Sequence, residues 1–153
     1  MSQNWLKVEH FRQEEVAGCL PACAQMALQY LGVQVGQPEL AALFEVDEYG
    51  APASRIKRLE KLGAKVLYES DASFKKLTQW LEQHVPPIVF VQTGALAYWH
   101  EDTAHAVVVI GITESDVILN DPYFADAPKA CPLDRFLLAW DDFGNRYAVV
   151  MRK

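Results

Sequence analysis

A chain of 153 residues is long enough to bury one substantial core, so a single domain over 1–153 is expected. Hydrophobic residues make up 51% and charged residues 22%, an ordinary globular composition that excludes a disordered chain. The net charge of −6 with no basic stripe argues against nucleic acid as a partner, and no apolar run reaches the about 18 residues of a membrane span.

In chain order, 1–12 reads as irregular or as a short strand. The first helix is predicted from Gly18 or Cys19 to Gly32. Leu20, Cys23, Ala24, Ala27, Leu28 and Leu31 recur at helical spacing as its buried stripe, and Pro21 is tolerated in a first turn whose N–H groups have no helical partner. A short helix over 38–44 and another over 52–62, stopped by Gly63, follow. Lys65 to Glu69 reads as a strand. Ser73 reads as the N-cap of a helix over 74–84, ended by Pro86 and Pro87. Ile88 to Gln92 is a buried strand, and 93–103 an exposed loop carrying Tyr98, Trp99 and His100. Two further strands, 104–113 and 117–120, are joined by a tight turn at Ser115 and Asp116. A helix over 133–140 and a strand over 146–152 close the chain. Helices first and an antiparallel sheet afterwards make an α+β fold.

The segment QEEVAGCLPACAQM, from Gln13 to Met26, carries the chemistry. Cys19 at a helix N-terminus stands where backbone N–H groups and the helix dipole favour a thiolate, the nucleophilic form. A buried structural cysteine is the competing assignment for Cys19, and is preferred for Cys23 one turn later; Cys131 reads as incidental. His105 opens an apolar strand and Asp121 ends the next one, in NDP. A tight hairpin lays those two strand ends side by side, so that Asp121 can orient the His105 ring. Cysteine, histidine and carboxylate, with Gln13 ahead as an oxyanion donor, are the parts of a thiol hydrolase. His100 competes for the base role but has no carboxylate partner. His10 and His84 read as surface residues, and strand alternation turns Asn120 to the opposite face. Cys19, Cys23, His100 and His105 could in principle ligate zinc, but their spacing fits no common zinc pattern, and neither a metal nor a cofactor is expected.

The residues QEEVAGCLPACAQMALQYLG resemble the nucleophile region of the bacteriocin-processing, double-glycine leader peptidases and their leader-peptidase-like relatives. That family has a papain-like fold and the pattern of a glutamine, a short gap, an acidic residue and C-G-x-A-C/A before an apolar helix. The resemblance extends to HAVVVIGI, NDP, the LTQWLEQHVPPIVFV segment and the FLLAW to YAVVM ending, nearly the whole chain. It implies a papain-like cysteine peptidase with N-terminal helices packed on a C-terminal antiparallel sheet. It further implies Cys19 as nucleophile, Gln13 at the oxyanion, His105 as base and Asp121 as its orienting group, acting on a peptide or protein substrate. Two positions depart from the pattern. Gly18 replaces the acidic residue, and Leu20 replaces the glycine whose N–H faces the oxyanion, with a side chain expected to narrow the site. The best-known members are fused to membrane transporters. With no span, no secretory signal and no nucleotide-binding G-x-x-x-x-G-K-[ST] loop, a standalone cytoplasmic domain is expected. The same thioester chemistry with an amine acceptor would give an acyltransferase or transglutaminase, and loss of activity a peptide-binding module. The sequence does not fix the oligomeric state.

Overall fold

A computed structural model describes residues 5–153. The central feature is a six-stranded antiparallel sheet in the order β1-β6-β2-β3-β4-β5. The strands are β1 (Ala64–Glu69), β2 (Ile88–Gln92), β3 (Ala104–Ile112), β4 (Asp116–Asn120), β5 (Lys129–Pro132) and β6 (Arg146–Arg152). Four α-helices accompany it: α1 (Cys19–Tyr30), α2 (Gln37–Phe44), α3 (Phe74–Glu82) and α4 (Leu133–Asp141).

Side chains alternate along β3 and feed two separate cores. Ala106, Val108 and Ile110 face α1, α2 and a 3-10 helix over Ala53–Leu62. Val107 and Val109 face α3 and α4 through Leu77, Phe136 and Trp140. The sheet is therefore covered on both sides, and its central strands read as continuous apolar runs for that reason. Helix α1 is buried on most of its circumference, with Leu20, Ala22, Cys23, Ala24, Met26, Ala27 and Leu28 all enclosed. At about 1.5–3 kcal/mol for each large apolar side chain removed from water, burial of Leu20, Met26 and Leu28 anchors the helix that carries Cys19.

Most predicted elements are present within a residue or two. Ser73 accepts from Lys76 N at 3.4 Å as the N-cap of α3. Gly63 stops the preceding helix at φ +89°, a conformation glycine adopts without penalty. Four expectations are corrected. The segment over 53–62 is 3-10 rather than α. β5 was not anticipated, and it buries Cys131 completely, so that cysteine is a core residue and not incidental. β1 belongs to the sheet although it precedes α3, since it pairs along its whole length with β6. The loop over 93–103 is only partly exposed: Thr93, Ala95 and Leu96 are buried, and Tyr98 and Trp99 are half-buried.

The β3–β4 hairpin has one irregularity. Ile112 pairs with Val117 and Gly111 with Ile118, but Val109 then pairs with Leu119 and Val108 with Asn120. One extra residue, Ile110, is thus accommodated on β3. Its carbonyl accepts from Leu6 N at 2.8 Å, and the segment entering from residue 5 runs alongside. At Gly111 a Cβ would come within 2.4 Å of Trp5 Cβ, so only glycine admits that close approach.

Candidate active site

The bulge decides which β4 residue faces His105. Continued unbroken, the register at the turn would set Val108 opposite Asp121 and put Asn120 on the His105 face. With Ile110 inserted, Val107 stands opposite Asp121, and His105 is its diagonal neighbour on the same face. The expected side-by-side arrangement of strand ends is therefore a two-residue diagonal. His105 Nε2 lies 2.7 Å from Asp121 Oδ1. Asn120 turns to the other face and donates to Val8 O at 2.9 Å.

Asp121 has no solvent exposure and four donors. Oδ1 receives His105 and Tyr123 N (2.9 Å), and Oδ2 receives Tyr98 OH and Trp99 Nε1, both at 2.8 Å. Burial alone would hold the acid protonated, but these hydrogen bonds and the charge of His105 bring it below its ordinary range, so it is a carboxylate. Burial and the neighbouring carboxylate push the Tyr98 phenol far above its usual range, which keeps it a neutral donor. Tyr98 and Trp99 therefore hold the acid from within a loop expected to be exposed. The Trp99 ring also covers the imidazole, with centroids 4.9 Å apart, and its edge lines the cleft.

Cys19 is the first residue of α1, with Gly18 as N-cap. Its thiol lines the same cleft as the His105 ring. Nε2 being committed to Asp121, the ring nitrogen left for sulfur is Nδ1. Burial opposes the thiolate, but the neighbouring His105, aided by the backbone N–H groups of Ala106 and Leu20, outweighs it and lowers the Cys19 pKa. Burial likewise opposes the imidazolium, yet Asp121 and Cys19 raise the His105 pKa to about 9. The two shifts favour a thiolate–imidazolium pair. Cys23, fully buried, moves the other way, by burial and by the negative groups at Cys19 and Asp121, and stays a thiol.

Gln13 lines the same cleft. Its backbone N–H donates to Pro122 O at 2.7 Å, tying it to the residue after Asp121. Its side-chain amide, however, donates to Glu15 O (3.1 Å) and Val16 O (2.8 Å), and Oε1 is buried without a partner. Two carbonyls fix which end of the amide faces the 15–16 turn, because an oxygen there would meet oxygen. Gln37 holds this strap from behind: Oε1 accepts from Glu14 N and Nε2 donates to Arg12 O, both at 2.9 Å. Leu20 is only 3% exposed and is largely absorbed into the core. It also contributes to the lining of the cleft.

His100 is exposed and outside the cluster. His10, expected at the surface, is half-buried with Nε2 2.8 Å from Asp121 O. Sequence reasoning missed Gln37 and His10, which carry no local motif. The roles of Tyr98 and Trp99 had a signal, since a buried phenol or indole needs an acceptor. Among the described residues, no group of three or more His, Cys, Asp or Glu side chains is arranged to hold a metal ion. No helix among them is long and apolar enough to cross a membrane.

The peptidase C39-like family model matches residues 5–148. The chain belongs to the peptidase C39-like family. Among solved structures, it is similar to a protein from Bacillus anthracis described as a C39-like peptidase, with a TM-score of 0.80 at 17% identity, covering 97% of this chain and 98% of that one. It is also similar to the peptidase domain of Streptococcus ComA, a bifunctional ABC transporter of a quorum-sensing pathway (0.78, 19%, covering 95% and 99%). A double-glycine-motif protease of an AMS/PCAT transporter, solved with its leader peptide, matches at 0.77 and 18%, covering 100% and 97%. No curated protein matches the sequence. The likenesses establish the papain-like C39 fold, with helices packed on an antiparallel sheet.

Proposed function

We propose that this C39-like protein is a cysteine peptidase that hydrolyses a peptide bond through a thioester. The observation that carries the proposal is the His105–Asp121 hydrogen bond beside Cys19 in one cleft, with the thiol pKa lowered and the imidazole pKa raised. Cys19 thiolate attacks the scissile carbonyl, and the carbonyl oxygen takes the negative charge. The Cys19 backbone N–H and the Gln13 amide hold that oxygen. His105 gives its Nδ1 proton to the leaving amine as the C–N bond breaks. It then takes a proton from water, whose hydroxide displaces sulfur and frees the acid product and the thiolate. Asp121 holds the ring throughout. A peptide substrate is supported by the leader peptide bound to the AMS/PCAT relative.

One observation favours a second reading, a peptide-binding module without turnover. The Gln13 amide is committed to the 15–16 turn, so its N–H reaches an oxyanion only if the amide leaves those carbonyls.

Incubation with a peptide mixture that includes glycine-glycine sites, followed by mass spectrometry, separates the readings. The peptidase predicts new termini and, at low pH quench, an acyl adduct on Cys19. Iodoacetamide should label Cys19 well before Cys23 or Cys131. Peptide binding with no cleavage of any sequence would leave the module.

A further inference from the structure

The cleft above Cys19 and His105 has a volume of about 410 Å³ and an uneven chemical lining. Apart from the Cys19–His105 pair, its charged residues are Glu48, from the helical half of the molecule, and Glu101, from the loop that enters β3; no lysine or arginine lines it. Neither carboxylate forms an ion pair among the described residues. Glu48 adjoins Tyr49, which is 89% exposed, and Val16 on the strap beside the nucleophile is 92% exposed. These are the most exposed of the large apolar side chains described, and both line the cleft.

The exposure of Tyr49 is held in place. Asp47 and Gly50 close a tight turn through paired backbone bonds of 3.1 and 3.0 Å, and Asp47 Oδ1 accepts from Tyr49 N at 2.8 Å. Gly50 packs near Ala17 O, which brings this turn against the strap that leads into Cys19. A fixed turn thus presents an unshielded ring and an unpaired carboxylate at the mouth of the cleft. An aromatic face beside a carboxylate is the combination that attracts an alkylammonium or guanidinium group. With the His105 charge matched by the Cys19 thiolate, two further carboxylates in a concave site leave it net negative and repel an acidic chain.

We propose that the cleft selects an extended peptide bearing a lysine or arginine near the scissile bond, with its cationic head between Glu48 and Glu101 and its stem on Tyr49. This deepens the peptidase proposal and rests on it for the position of the scissile bond. The test uses pairs of peptides that differ only by Lys or Glu at each position flanking the cleaved bond. At one position the kcat/KM ratio of Lys to Glu should be about tenfold or more at low salt, and should shrink as salt screens the charges. The double substitution Glu48→Lys with Glu101→Lys should reverse that ratio, and Glu48→Gln with Glu101→Gln should bring it close to one. A wild-type ratio near one, or a ratio that survives both double substitutions, would overturn the inference while leaving the peptidase standing. If no peptide is cleaved, the same pairs are tested for binding to Cys19→Ala by fluorescence anisotropy. Lys-selective binding that reverses in the charge-swapped variant would support the inference although the peptidase proposal had failed, and equal binding would overturn it.

Discussion

The two halves of the candidate site are built differently. On the proton-handling side, Asp121 is fully enclosed and receives four donors, and His105 is fixed between Asp121, Trp99 and Cys19. On the oxyanion side, Gln13 rests on a half-exposed strap, its amide turned to the 15–16 carbonyls and its Oε1 unpaired. A charge that exists before substrate arrives needs permanent hydrogen bonds, since an unpaired buried carboxylate is costly. A charge that exists only in the transition state needs none beforehand. The difference teaches that the His105–Asp121 half is assembled by folding, whereas under the proposed mechanism the Gln13 half would be completed only when substrate displaces the amide from its resting carbonyls.

The largest effect should come from the base itself. His105→Ala is expected to lower kcat/KM by about 10²–10⁴-fold and to abolish the heightened alkylation of Cys19, while His100→Ala leaves both unchanged. A dead His100 variant would break the assignment. Next comes Asp121→Ala, which strands the Tyr98, Trp99 and His105 donors. It should cost about 3–5 kcal/mol of stability, read as a lowered midpoint in urea, besides its effect on rate.

Gln13→Ala should behave in the opposite sense. It should lower kcat by about 2–4 kcal/mol of transition-state stabilisation with little change in KM, and leave the urea midpoint close to wild type. Equal losses of stability in the Asp121 and Gln13 variants would erase the contrast between the halves. Tyr98→Phe should be milder: it removes one neutral donor from a charged acceptor, worth about 1.5–3 kcal/mol of stability, while Trp99 keeps Oδ2 partnered.

The pH profile gives the smallest effect and the sharpest assignment. The competent form needs Cys19 deprotonated and His105 protonated. Cys19 is lowered and His105 raised to about 9, so kcat/KM should fall in acid as the thiolate protonates and in alkali through about 9 as the imidazolium is lost. Asp121→Ala removes support for the imidazolium and should move the alkaline limb downward. Gln13→Ala should leave both limbs in place. A shifted alkaline limb in the Gln13 variant would tie that residue to the proton-handling half.

The local signals were legible because they are set by neighbours in the chain. The apolar periodicity after Cys19, the Ser73 cap, the stop at Gly63 and the run from Ala104 each encode a single element. Cys19, His105 and Asp121 are brought together as read, and Gln13 lies in the same cleft. β5 escaped because four residues with a lysine and a proline have no alternation to detect. The 93–103 loop looked exposed because its aromatic residues run into the polar stretch from His100 to Thr103, and no sequence rule states that Asp121 is the acceptor they require.

What the sequence determined by itself is the inventory and the elements: a cysteine at the head of an apolar helix, a histidine opening a strand, and an aspartate closing the next. The tertiary structure alone decided how these meet. Strand alternation has a period of two, so a single inserted residue exchanges the two faces, and the accommodation of Ile110 turns Asp121 rather than Asn120 to His105. That insertion is held by Leu6 N on the Ile110 carbonyl and by Trp5 against Gly111, contacts more than a hundred residues apart in sequence. The gathering of Gln13, Glu48 and Glu101 around one cleft is likewise a product of packing, because they come from segments that only the folded chain brings near.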